Sequence, residues 1–75
     1  MNKETVFHYG ALTKTALAQL YFPDRAPAAA RRKLNYWIGH NRMLTEKLID
    51  CGYKPKNIDL TPAQVDLIVF YLGEP

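Results

Sequence analysis

Arg31, Arg32, Lys33 and Tyr36 are the side chains whose types and spacing most clearly suggest chemistry, namely recognition of a polyanion. From Arg25 to Thr45 the chain carries Arg25, Arg31, Arg32, Lys33 and Arg42 and no acid, whereas the other 54 residues hold five basic and seven acidic groups. Positive charge gathered in one stretch is the electrostatic footprint of a nucleic-acid binder. Arginine adds a planar, permanently charged fork that fits phosphate oxygens or the edge of guanine. Lys54 and Lys56, either side of Pro55, would extend this charge from a loop. The same cations would also serve merely to solubilise a helix.

Enzyme chemistry finds less support. His8, His40 and Cys51 are the only imidazoles and thiol, and their spacing suits no metal site. Neither a phosphate-cradling G-x-x-x-x-G-K-[ST] loop nor a G-x-S-x-G nucleophile turn occurs. A non-enzymatic protein without cofactor, metal or small-molecule substrate is expected.

Those cations must be positioned by helices. Pro27 suits a first helical position and three alanines follow it. At 100° per residue Ala30, Leu34, Trp37 and Ile38 fall together as a core face. Ala28, Ala29, Arg32 and Tyr36 fall opposite, with Arg31 on the flank and Lys33 toward the edge. Trp37 reads as a core anchor rather than a base-stacking platform. An earlier helix begins at Thr13, with Leu12 and Leu17 as a hydrophobic staple, and ends before Pro23. Leu17, Leu20 and Tyr21 mark its buried face. Asn41 caps a third helix buried through Leu44, Leu48 and Cys51, which makes Cys51 a buried, inert thiol. Gly52 ends that helix, with Tyr53 folding back on Leu48.

Lys54-Pro55-Lys56-Asn57 has turn chemistry, and with Tyr53 and Ile58-Asp59-Leu60 around it suggests a small hairpin or wing. Thr61 and Gln64 form a capping-box pattern that opens the last helix, which Gly73 closes. Val65, Ile68, Val69 and Leu72 are its core stripe. A second stripe of Leu67, Phe70 and Tyr71 needs its own cover, from the N-terminal segment or from another subunit. Thr5–Tyr9, β-branched and aromatic, suggests a short strand or arm.

With 75 residues, 48% hydrophobic and 23% charged, the chain has the size and composition of one folded domain, here residues 1–75. Such a chain buries only about 60% of its unfolded surface. One cysteine permits no intrachain disulfide, so helix packing or a partner chain must supply stability. No apolar run approaches the roughly 20 residues needed to span a bilayer, and Met1–Glu4 leads into no signal-like stretch, so a cytoplasmic protein is expected.

Two stretches carry a family resemblance. Tyr9-Gly10 with Leu17-Ala18-Gln19-Leu20-Tyr21-Phe22-Pro23, and Leu60-Thr61-Pro62-Ala63-Gln64-Val65-Asp66-Leu67-Ile68 with Tyr71-Leu72-Gly73-Glu74-Pro75, resemble the two ends of a small uncharacterised Bacteroides family. Arg32-Lys33-Leu34, Trp37-Ile38 and Gly52-Tyr53 match its middle. The resemblance implies a small stand-alone bacterial domain of unknown function and carries over no site residue. Ala26 departs from it: relatives tend to have Ser or Thr there, so this second helix lacks a good cap. More distantly, the order of elements is similar to the winged helix-turn-helix domains of excisionases and MerR-type regulators.

The expectation is a mainly α, four-helix, helix-turn-helix-like domain with a short N-terminal strand and a small hairpin before the last helix. Its expected partner is DNA, contacted through Arg25, Arg31, Arg32, Lys33, Tyr36, Arg42, Lys54 and Lys56. The alternative is a protein-interaction module, a homodimer or a partner complex, using Leu67, Phe70 and Tyr71.

Overall fold

The computed structural model describes residues 10–75, so the strand or arm expected over residues 5–9 lies outside the described residues. The chain runs β1 (Leu12–Thr13), α1 (Lys14–Tyr21), α2 (Pro27–Gly39), α3 (Arg42–Asp50), β2 (Asp59–Leu60) and α4 (Pro62–Leu72). It is the mainly helical, four-helix arrangement that the sequence implies.

Each helix start has a local cause. The Thr13 hydroxyl accepts from the Ala16 N–H at 3.0 Å, and the Asn41 carbonyl oxygen from the Leu44 N–H at 3.0 Å. At α4 the box closes both ways: Gln64 N–H donates to Thr61 Oγ1 at 3.2 Å, and Thr61 N–H to Gln64 Oε1 at 3.0 Å. Gln64 is itself buried, and its Nε2 donates to the Cys51 carbonyl at 3.0 Å. This one side chain therefore ties the start of α4 to the end of α3. Thr61→Ala is expected to cost about 1 kcal/mol, lowering Tm by roughly 6 °C in a thermal melt. α2 starts at Pro27 although Ala26 provides no side-chain cap. Proline's fixed φ and absent N–H suffice there.

α3 ends as its Gly-Tyr implies. Gly52 has φ +81°, Gly52 N–H donates to the Ile49 carbonyl and Tyr53 N–H to that of Leu48, both at 2.9 Å. This paired closure brings Tyr53 over the helix end and buries it. Cys51, expected inside, is exposed. The helix stops at Asp50, and Cys51 is the capping residue just beyond it rather than part of the buried stripe.

β2 pairs antiparallel with β1, Leu12 opposite Leu60 and Thr13 opposite Asp59. The Lys54–Asn57 turn forms, with Asn57 N–H on the Lys54 carbonyl at 2.9 Å. The strand beyond it takes its ladder from the N-terminal side of the chain rather than from the residues before the turn. This pairing fixes the turn beside the start of α1.

Leu17, Ala18, Ala30, Leu34, Ile38, Leu44, Leu48, Tyr53, Leu60, Val65 and Ile68 form one core. α1 packs chiefly on α2, whose Ala30, Leu34 and Ile38 point inward. Trp37, expected as a core anchor, stands at the rim and is 37% exposed. Its ring meets the Phe22 ring edge-on, centroids 4.8 Å apart, and the Tyr21 ring at 6.3 Å. These rings belong to the last residue and the C-cap of α1, so the indole packs at the end of that helix rather than along its buried face.

Candidate nucleic-acid interface

With Ala30, Leu34 and Ile38 inward, helical geometry leaves Arg31, Arg32, Asn35 and Tyr36 outward, and all four are exposed. α2 contains no acidic residue. The Tyr36 ring, 62% exposed, lies against the His40 ring with centroids 4.0 Å apart. His40 Nδ1 donates to the Tyr36 carbonyl at 2.9 Å, which holds the imidazole behind the phenol. The result is an aromatic platform beside Arg32, one turn along the same face.

The expected cations divide over the surface. Arg31 leans toward α1 and its Nη1 donates to Thr15 Oγ1 at 3.2 Å. Arg32 occupies the crest with Tyr36. Lys33 turns to the other flank, half-buried, its Nζ 5.2 Å from the centroid of the Phe22 ring. Arg25 and Lys33 line a shallow depression there with Tyr21, Phe22 and Asp24. Arg42 starts α3 and pairs with Glu46 at 3.7 Å, an exposed contact that partly neutralises it. Lys54 and Lys56 are exposed at the turn. The structure thus gathers Arg31, Arg32 and Tyr36 on one face, sets Lys33 and Arg25 on a second, and leaves Arg42 paired.

The site residues expected from the sequence do not include Lys14. It is buried, only 1% exposed, and its Nζ donates to Tyr53 Oη at 2.7 Å and to the Pro55 carbonyl at 2.9 Å. The backbone N–H of the same residue donates to the Ile58 carbonyl at 2.7 Å. Lys14 therefore holds both sides of the Lys54–Asn57 turn. The signal was present: Lys14, Leu17, Ala18 and Tyr21 stand at i, i+3, i+4 and i+7, so the lysine opens the apolar stripe of α1. A cleft of about 290 Å³ lies alongside, lined by Lys14, Arg31, Asn35, Lys56 and Asn57 among others.

Burial, and then the nearby Arg31 charge, push the Lys14 ammonium below its ordinary pKa, while burial raises that of the Tyr53 phenol. A lowered lysine pKa means that the folded chain binds this proton less tightly than the unfolded chain. Its contribution to stability then grows as pH rises from the folded value toward the ordinary one, about 10.4. Tyr53 acts oppositely: the unfolded phenol ionises first, so stability falls as pH passes about 10. Urea denaturation across alkaline pH should show stability climbing on the approach to that range in the wild type. Lys14→Met should remove the climb; equal pH slopes in the two proteins would contradict this assignment.

On α4, Leu67 and Tyr71 pack partly against the core. Phe70 does not: it is 77% exposed, with its ring edge-on to Tyr71 at 5.1 Å. The expected second stripe is thus reduced to one prominent side chain. Among the described residues no three His, Cys, Asp or Glu side chains gather as a metal site. None of the described helices is long and apolar enough to cross a membrane.

The fold and its surface define a small four-helix domain with an acid-free second helix and a lysine-clamped turn. The chain belongs to the family described as Domain of unknown function (DUF4248), whose model matches residues 8–75. No curated protein and no solved structure matches the chain.

Proposed function

We propose that this chain is a small cytoplasmic DNA-binding protein, a regulator or accessory factor, that uses α1 and α2 in the manner of a helix-turn-helix. The observation that carries this is the outer face of α2, where Arg31, Arg32, Asn35 and Tyr36 stand exposed on a helix without an acid. In such a unit the second helix enters the major groove while the first crosses the backbone. Arg31 and Arg32 contact phosphate or base edges, and Tyr36 packs beside them. Lys54 and Lys56 reach the backbone as a wing does, while Lys33, Arg25 and Arg42 supply electrostatics from farther out. No catalysis, cofactor or membrane is involved.

With four or five phosphate contacts, affinity falls with salt at a log–log slope of about −4. Fluorescence anisotropy of a labelled random duplex at 50 and 200 mM salt tests this. Binding that weakens on the order of a hundredfold between the two is the expected result. No binding at 50 mM would overturn it.

The exposure of Phe70 favours a second, compatible reading in which α4 meets a second copy or a protein partner. Phe70→Glu should then yield a monomer by sedimentation velocity with the fold intact by circular dichroism. A wild type that is already monomeric and captures no partner would sink it.

A further inference from the structure

The cleft beside Lys14 is more than a gap between elements. Its cations come from three places: Lys14 from the first turn of α1, Arg31 from α2 and Lys56 from the Lys54–Asn57 turn. Asn35 and Asn57 add side-chain amides, and among the described residues no carboxylate lines it. An ammonium has three donors, and Lys14 directs two of them at Tyr53 and Pro55. Among the described residues the third N–H of Lys14 has no acceptor. Among the described residues Arg31 makes one bond, to Thr15, and keeps the rest of its five-donor fork. Like charges gathered in a recess repel one another, and an anion seated among them turns that repulsion into attraction. A forked guanidinium beside ammonium groups and amide donors matches the several acceptor oxygens of a tetrahedral oxyanion.

We propose that the cleft formed by Lys14, Arg31 and Lys56 is a phosphate-binding subsite. The proposal deepens the duplex-binding reading and rests on it for the source of the ligand: a backbone phosphodiester flanking the groove that α2 occupies. A free phosphate ester offers the same chemistry. Lys14 has a second part in this site, because its bonds to Tyr53 and Pro55 hold the turn that brings Lys56 to the cleft.

The test titrates inorganic phosphate into the ¹⁵N-labelled protein, against sodium chloride at matched ionic strength. Saturable shifts are expected at the side-chain amides of Asn35 and Asn57 and at the Lys56 N–H. Lys56→Ala, a change at an exposed position, should raise the midpoint about two- to fivefold, as loss of one solvent-exposed ion-pair contact implies. Lys14→Met should abolish the shifts, with circular dichroism reporting whether the fold is kept. No saturable shift in the wild type would overturn the subsite. A parallel arm measures duplex affinity against salt. Flattening of the slope by about one unit in Lys56→Ala identifies the seated group as a backbone phosphodiester. An unchanged slope with phosphate shifts intact keeps the subsite and overturns the duplex as its source. Duplex binding without phosphate shifts removes the cleft and leaves the α2 contact standing, whereas phosphate shifts without duplex binding do the reverse.

Discussion

Arg31→Ala/Arg32→Ala is expected to flatten the salt dependence of duplex binding from a log–log slope of about −4 to about −2, because two counterion-releasing contacts are removed. Affinity at 50 mM salt should fall at least about tenfold. Both side chains are exposed, so stability should change by no more than about 0.5 kcal/mol. Loss of Arg31 also removes a charge that disfavours protonated Lys14, so no destabilisation should mask the effect. The two arginines do different work. Arg31 is tethered to Thr15 at the α1 side, whereas Arg32 stands on the crest beside Tyr36. The single variants should therefore differ, Arg31→Ala affecting the cleft beside Lys14 and Arg32→Ala the groove face alone. Unfolding in urea and anisotropy on the same samples check both halves. An unchanged slope would exclude α2 as the contact surface.

Leu34→Ala is expected to damage the fold severely. Leu34 is fully buried on the face that α2 turns inward, and truncating a buried leucine costs about 2–5 kcal/mol. A domain of 75 residues has roughly 4–11 kcal/mol of stability in total. A loss near 3 kcal/mol lowers Tm by roughly 15–20 °C in a chain of this length. Trp37→Ala should cost less, about 1–2 kcal/mol, although more atoms are removed. The indole is 37% exposed and rests on Phe22 and Tyr21 at the rim. Thermal melts of the two variants side by side decide the order. Greater damage from Trp37→Ala would mean that the rim rings, not the Ala30–Leu34–Ile38 face, seat α2.

What was legible in the sequence was local. Thr13, Asn41 and the Thr61–Gln64 pair mark helix starts because a cap bonds to an N–H only a few residues away. Gly52-Tyr53 marks the end of α3 for the same reason. The period alone gives the inward face of α2 at Ala30, Leu34 and Ile38 but not at Trp37, which the structure leaves at the rim. What was not legible depended on contacts between distant segments. The ladder between β1 and β2 joins residues from opposite ends of the chain. Leu12 and Asp59 carry no local sign of that pairing.

Lysine belongs to solvent by type, and it is Tyr53 and Pro55, far along the chain, that give the Lys14 ammonium its partners inside. The spacing of Leu44 and Leu48 points Cys51 inward only if their helix runs on, and it ends at Asp50. Lys33 sits at a helical angle close to the edge, and the Phe22 ring drew its ammonium to the flank away from Arg31. The candidate face was therefore readable as a stretch of charge. Its division into crest, cleft and far flank was not, since that depends on which neighbour each long side chain meets.

The most direct measurement is an amide chemical-shift map of the ¹⁵N-labelled protein with a short random duplex at 50 mM salt. Binding through α2 should perturb Ala28, Arg31, Arg32, Asn35 and Tyr36 together with Lys54–Asn57, and leave Phe70 and its neighbours on α4 unchanged. Perturbation confined to α4, or none at all, would contradict it.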